Sequence, residues 1–283
     1  MNRRRFLTTA LGVPTLAALA GSLPLVLASC GDDEESASDP TYADGPNDVV
    51  LSIRYEGGFV PMGFAFVNMP TLLVSGDGRV FEPGMQTLEF PGPLLSPVMV
   101  RPISPAGIRR VIALAGDAGL LSAPPDYSMP GGIMVADAPF TVVTLTVDGQ
   151  TYRHEAEALG LGIDDGTSTP ARDNLAAFVE VMADITAVVG DDEIGEPIPF
   201  DPTRYRMQAM EVNPADWGEP APTVLDWPDG TGVVLAEAAT CASAAAAAVG
   251  AALTAADQLT FFREGDVVYQ VFAGGMLPGD AEC

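Results

Sequence analysis

The sequence predicts an α+β fold, mainly antiparallel sheet with two to three packed helices. Three observations predict it. Short runs of alternating apolar and polar residues recur along the chain, several joined by tight turns of Gly with Asp or Glu. Stretches of helical period are few, at 105–118, 170–189 and 242–256. Strands and helices mix without a regular βαβ rhythm, which argues against a parallel sheet. A helix followed by a hairpin occurs in both halves, a shared pattern without enough identity to make a repeat.

The first segment is a leader. Arg3, Arg4 and Arg5 precede a weakly apolar, uncharged stretch from Phe6 to Ala28, the layout of a secretory signal over residues 1–29. Pro14, Pro24, Gly12 and Gly21 make it a poor spanning helix. It closes in Leu27-Ala28-Ser29-Cys30, which looks like a lipobox: an aliphatic residue, two small ones, then the cysteine that takes a diacylglyceryl group. Cys30 is therefore expected to anchor the chain to membrane lipid, with cleavage just before it. Arg3, Arg4, Phe6 and Leu7 also resemble the twin-arginine export consensus, which is favoured over the general secretory route. Both routes remain open, because Asn2 stands where Ser or Thr is usual.

Residues 30–47 read as the lipidated cysteine and a disordered acidic tether, rich in Asp, Glu, Ser and Pro and without apolar periodicity. Folded sequence follows, with residues 48–190 forming an α+β domain. Val49, Leu51, Ile53 and Tyr55 alternate as a half-buried strand, and Phe59 to Val67 reads as a second strand interrupted at Pro61. Thr71–Ser75 and Arg79–Phe81 flank a Gly76-Asp77-Gly78 hairpin turn. Ser104-Pro105 opens a helix as N-cap and first residue, and Gly119 ends it. Asp148-Gly149 then joins two strands in a type I′ turn, which sets Tyr152 and His154 on the face of Val143, Leu145 and Val147. Thr169-Pro170 starts a helix whose apolar face runs from Leu175 to Val189, ended by Gly190.

Residues 191–202, acidic and proline-rich, read as a linker, and 203–283 as a smaller α+β unit, either separate or packed into the same domain. In it a strand at Arg204–Val212 precedes a long loop, Asn213–Gly232, carrying Trp217 and Trp227. An alanine-rich helix at about 242–256 and a hairpin turning at Glu264-Gly265 complete the chain.

Composition excludes some functions. The 283 residues carry 38 Asp and Glu against 13 basic residues, all of them arginine, for a net charge of −25. Three of those arginines lie in the leader, so the exported part is more acidic still. Such a surface repels nucleic acid and anionic lipid headgroups, so acyl chains must anchor unaided. Once Cys30 carries lipid, Cys241 and Cys283 remain as an even pair, expected to be disulfide-bonded in an oxidising compartment.

Tyr55-Glu56-Gly57-Gly58-Phe59-Val60-Pro61, Gly76-Asp77-Gly78-Arg79-Val80, Asp137-Ala138-Pro139 and Leu277-Pro278-Gly279 with Cys283 carry a resemblance. They are similar to segments of the uncharacterised exported lipoproteins of high-GC Gram-positive bacteria. The resemblance spans most of the exported part and implies a lipoprotein. Its motifs are turns and strand edges, and it implies no activity.

A search for chemistry finds little. The one histidine, His154, lacks the second histidine of a zinc-protease helix and lies on a strand, where a hydrogen-bonded core role is favoured. No Gly-x-Ser-x-Gly elbow or dinucleotide fingerprint occurs. Asp164-Asp165 and Asp191-Asp192-Glu193 lack the ligand spacing of a calcium loop, so neither a metal nor a cofactor is indicated. Trp217 and Trp227 are candidates for a ligand surface, although pinning their loop to the core is the favoured role. The expectation is a membrane-anchored, extracytoplasmic lipoprotein with a non-enzymatic binding or structural role, its partner an envelope protein or small ligand. A carboxylate-dependent envelope hydrolase and a transporter's solute-binding protein are the alternatives.

Overall fold

The computed structural model describes residues 39–132, 134–160 and 168–283. Among these, the chain forms five α-helices and twelve strands in two mostly antiparallel sheets, an α+β fold. Asp39–Cys283 makes one compact unit.

Strand β1 (Val49–Glu56) leads through helix α1 (Phe64–Val67) to β2 (Leu72–Ser75), β3 (Arg79–Pro83) and β4 (Val98–Pro102). Helix α2 (Pro105–Asp117) follows, then the hairpin β5 (Phe140–Val147) and β6 (Gln150–Glu157). Helices α3 (Pro170–Met182) and α4 (Ile185–Val189) precede β7 (Ile198–Pro199). These strands form a seven-stranded sheet in the order β6-β5-β1-β2-β3-β4-β7. The rest, β8 (Arg204–Glu211), β9 (Thr223–Asp226), β10 (Ala242–Ala245), α5 (Ala246–Ala255), β11 (Thr260–Glu264) and β12 (Val267–Gly275), builds a five-stranded sheet. Its order is β10-β8-β12-β11-β9, and only β9 and β11 run parallel.

Helices α2, α3 and α4 bury Ile108, Val111, Leu175 and Ile185 against Leu51, Ile53 and Leu145 of the first sheet. A second core lies between α5 and the second sheet, where Val249 and Leu253 meet Met207, Val271 and Phe262. A third, small cluster sets Leu277 from the carboxy-terminal segment against Leu73 and Phe81 of the first sheet.

The periodic elements form as their residues dictate. Ser104 caps α2 by accepting from Gly107 N at 3.0 Å, and Pro105 occupies its first turn. Asp148 and Gly149 both have positive φ, as a type I′ turn requires. The register pairs Val143 with His154 and Leu145 with Tyr152, placing all four on one face.

Four expectations need correction. The strand expected at Phe59–Val67 is the short helix α1, because Gly57, Gly58 and Gly63 all take left-handed φ and turn the chain out of extended backbone. The single helix expected to run to Gly190 breaks at Asp184, whose carboxylate caps α4 through Ala187 N. The first residues of the alanine-rich stretch form strand β10 on β8 instead of starting the helix. Residues 41 and 42, expected within the disordered tether, are held by the fold: the Thr41 amide and hydroxyl both donate to Asp148 Oδ1, at 2.7 and 2.8 Å, and Tyr42 packs against the main core. Residues 191–202 lie along the first sheet, where β7 pairs with β4 and Phe200 stacks edge-on against Phe81.

Candidate functional site

The sheet register gives the first sheet two distinct ends. Thr41, the Gly76–Gly78 turn and the Asp148 turn gather at the start of β1, where the described chain enters the domain. The loops 57–71 and 84–97 leave from the other end, where β1 and β3 finish. An eight-residue strand puts roughly 25 Å between the two. Phe59, Met62, Met85, Leu88 and Phe90 all stand exposed on these far loops, with Met85 and Leu88 essentially unburied. Loop 57–71 carries no charged residue, and 84–97 carries only Glu89.

A cleft of about 630 Å³ opens beneath the 84–97 loop. Met85, Leu94 and Leu95 line it from the loop, and Gln270 and Phe272 line it from β12. Gly63 anchors the neighbouring loop here, since any Cβ at that position would run into the Phe272 ring. Glu89 is the one ionisable side chain of the lining. The amides of Gln86, Gln258 and Gln270 and the hydroxyls of Thr87, Ser96 and Thr254 supply the other polar side-chain groups. Apolar walls with a few amides and hydroxyls suit binding of an apolar body with limited hydrogen bonding. Hydrolysis of a glycosidic bond needs two carboxylates, and this cleft offers one.

The two tryptophans are not brought together. Trp227 stacks edge-on against Phe262 with ring centroids 5.2 Å apart, and Trp217 stacks against Phe261 at 5.8 Å. Consecutive strand residues face opposite sides of a sheet, so the two indoles cover opposite faces. Trp227 is buried, and its Nε1–H donates to Thr231 Oγ1 and Val233 O, both at 3.1 Å. It pins its loop to the core. Trp217 instead walls a separate cavity of about 440 Å³ with Phe90 and Phe261. Phe261 pairs with Gln270 across the hairpin, so this cavity and the Phe272 cleft share one face of the second sheet.

His154 is fully buried. The Leu120 carbonyl can only accept, so Nε2–H donates to it at 2.8 Å, leaving Nδ1 to accept from the Tyr127 hydroxyl at 2.7 Å. Burial holds the imidazole below its ordinary pKa of 6.5, with the Leu120 bond opposing, and burial raises the Tyr127 phenol. Arg172, also buried, donates to Tyr127 O and Glu157 O, each at 2.8 Å. The three side chains fasten the loop after α2 to the β5–β6 hairpin and α3. Their hydrogen bonds serve the fold.

Of the acidic clusters, Glu193 accepts from the Ser104 hydroxyl and meets Arg110 at 3.4 Å, tying the segment after α4 to the start of α2. Asp164-Asp165 lies outside the described residues, as do Cys30, Arg3, Arg4, Phe6 and Leu7. Among the described residues no group of three or more metal-ligating side chains gathers, and no helix is long and apolar enough to cross a membrane. The Cys241 and Cys283 sulfurs lie at disulfide distance, with their Cα atoms 5.4 Å apart. The residues of the 84–97 loop gave no periodic signal in sequence. Their one sign was length, since an unpatterned loop of this size is uncommon unless it has a function.

No protein family, no curated protein and no solved structure matches the chain.

Proposed function

We propose that the chain is an exported lipoprotein, held to the outer face of the cell membrane by acyl chains on Cys30, and that its folded domain binds and does not catalyse. The observation that carries the binding role is the cleft beside Phe272, largely apolar-walled, with amides, hydroxyls and one carboxylate in its lining. The anchoring role rests on the leader: a basic start, an uncharged apolar stretch and Leu27-Ala28-Ser29-Cys30. The resemblance to exported lipoproteins of high-GC Gram-positive bacteria supports the same reading. Twin-arginine export, suggested by Arg3, Arg4, Phe6 and Leu7, delivers the chain to an oxidising compartment, where the Cys241–Cys283 pair forms a structural disulfide.

The partner or ligand presents an apolar body to the cleft. Nile red, a neutral apolar dye, tests this with the chain from Gly31 onward, which contains the whole compact unit. The expected result is saturable fluorescence enhancement. Met85→Glu, at an exposed rim position that leaves the fold intact, is expected to weaken it about tenfold, the equivalent of one buried apolar side chain. An unchanged dye spectrum removes the cleft from the account. Turnover of any substrate in a broad hydrolase panel overturns the non-catalytic reading.

A further inference from the structure

The cavity at Trp217 differs in chemistry from the Phe272 cleft, although they share a sheet face. Its walls include three aromatic rings, Trp217, Phe90 and Phe261, and three carboxylates, Glu211, Asp216 and Glu219. No arginine or histidine is among its lining residues, and the chain has no lysine at all. Trp217 is held by its edge-to-face contact with Phe261, while its Nε1–H, shielded from solvent, has no hydrogen-bond partner. Where Trp227 is fixed by both stacking and hydrogen bonds, Trp217 is fixed by stacking alone.

Aromatic faces attract cations through their quadrupole, most strongly where water is partly excluded. The lining carboxylates add Coulombic attraction, and no fixed positive charge among the lining residues competes with an incoming one. The strong negative charge of the whole molecule raises the local concentration of cations further. A neutral sugar stacks on the rings and donates its hydroxyls to the carboxylates but gains no Coulombic attraction from them, and an anion is repelled. We infer that the Trp217 cavity binds a small organic cation, an ammonium group carried on an apolar stem. The rings receive the ammonium and its stem, and Glu211, Asp216 and Glu219 balance its charge. The site stands independently of lipidation at Cys30 and of the Phe272 cleft, since it is built from other residues.

The test uses the chain from Gly31 onward carrying Trp227→Phe, so that Trp217 is the sole indole and reports directly. Tetramethylammonium and n-butylammonium chloride are titrated against it, with sodium chloride and 1-butanol as charge-only and stem-only controls. The expected result is a saturable change in indole fluorescence with both ammonium salts, and at least about fivefold weaker response to either control, the size of one cation–π contact. In the parent chain, Trp217→Leu abolishes binding measured calorimetrically, and Glu219→Gln with Asp216→Asn weakens it. Both carboxylates are exposed, so that pair reads binding without disturbing the fold. Equal response to 1-butanol and n-butylammonium overturns the inference. So does binding of a lysine-rich peptide without any binding of the small amines, which would make the cavity part of a protein interface. Nile red binding is unaffected by the Asp216 and Glu219 substitutions, which keeps this result separate from the test of the Phe272 cleft.

Discussion

His154 is buried between a carbonyl that can only accept and a phenol that donates, so its neutral form is the one the fold is built around. Unfolded, the imidazole takes up a proton near 6.5; folded, it resists protonation until lower pH. Between those two values the unfolded chain binds the additional proton, so stability is complete above the unfolded pKa and declines as pH falls below it. Urea denaturation from pH 7.5 to pH 5 is expected to show that decline, and His154→Phe to flatten it. Tyr127→Phe removes the hydroxyl and leaves Nδ1 buried without a partner, which costs about 1–3 kcal/mol at neutral pH in the same measurement. The apolar face of His154 was legible from alternation and the Asp148-Gly149 turn. Tyr127 and Arg172 were not, because their partners are the His154 ring, Tyr127 O and Glu157 O, groups that only the tertiary fold brings together.

Elements with a complete local signature formed where their residues placed them. Helix α2 has a capping serine, a proline in its first turn and Gly119 in left-handed backbone just beyond it, each readable without the fold. Ser104→Ala removes the cap and the partner of Glu193 together, and is expected to lower stability by about 1–2 kcal/mol in chemical denaturation. Elements that depend on a distant neighbour went unread. Strand β9 has mostly exposed side chains and exists through its parallel pairing with β11, and β7 is two residues held by β4. β10 reads as helix by composition and becomes a strand because β8 offers it an edge. The carboxy-terminal segment is tied at both ends of its path, by Leu277 in the cluster with Phe81 and by Cys283 beside Cys241. A disulfide there closes a separation of 42 residues. Cys241→Ser is therefore expected to destabilise by about 2–4 kcal/mol, read as a lower urea midpoint, with dithiothreitol shifting the parent chain alike.

At the scale of the whole molecule, direction is what matters. The described chain enters the domain at the Thr41–Asp148 end, and the exposed apolar loops and both cavities with them lie away from it. Cys30 and Thr41 are eleven positions apart, a stretch that spans at most roughly 40 Å fully extended. On the proposed reading, the lipid lies at one end and the binding face is presented outward at the other. Asp148→Ala removes the two bonds that Thr41 donates to the carboxylate and leaves the backbone bond from Asp148 N to Thr41 O, which loosens this attachment. It is expected to speed protease cleavage between residues 39 and 47 in a timed digest, with Nile red binding unchanged. Cys30→Ala is expected to move the protein from the membrane fraction into the medium. The most direct measurement is intact and peptide mass spectrometry of the protein from its native membrane. The account predicts an amino terminus at Cys30 carrying a diacylglyceryl thioether. A chain retaining Arg3 to Leu7, or one with an unmodified Cys30 thiol, would contradict it.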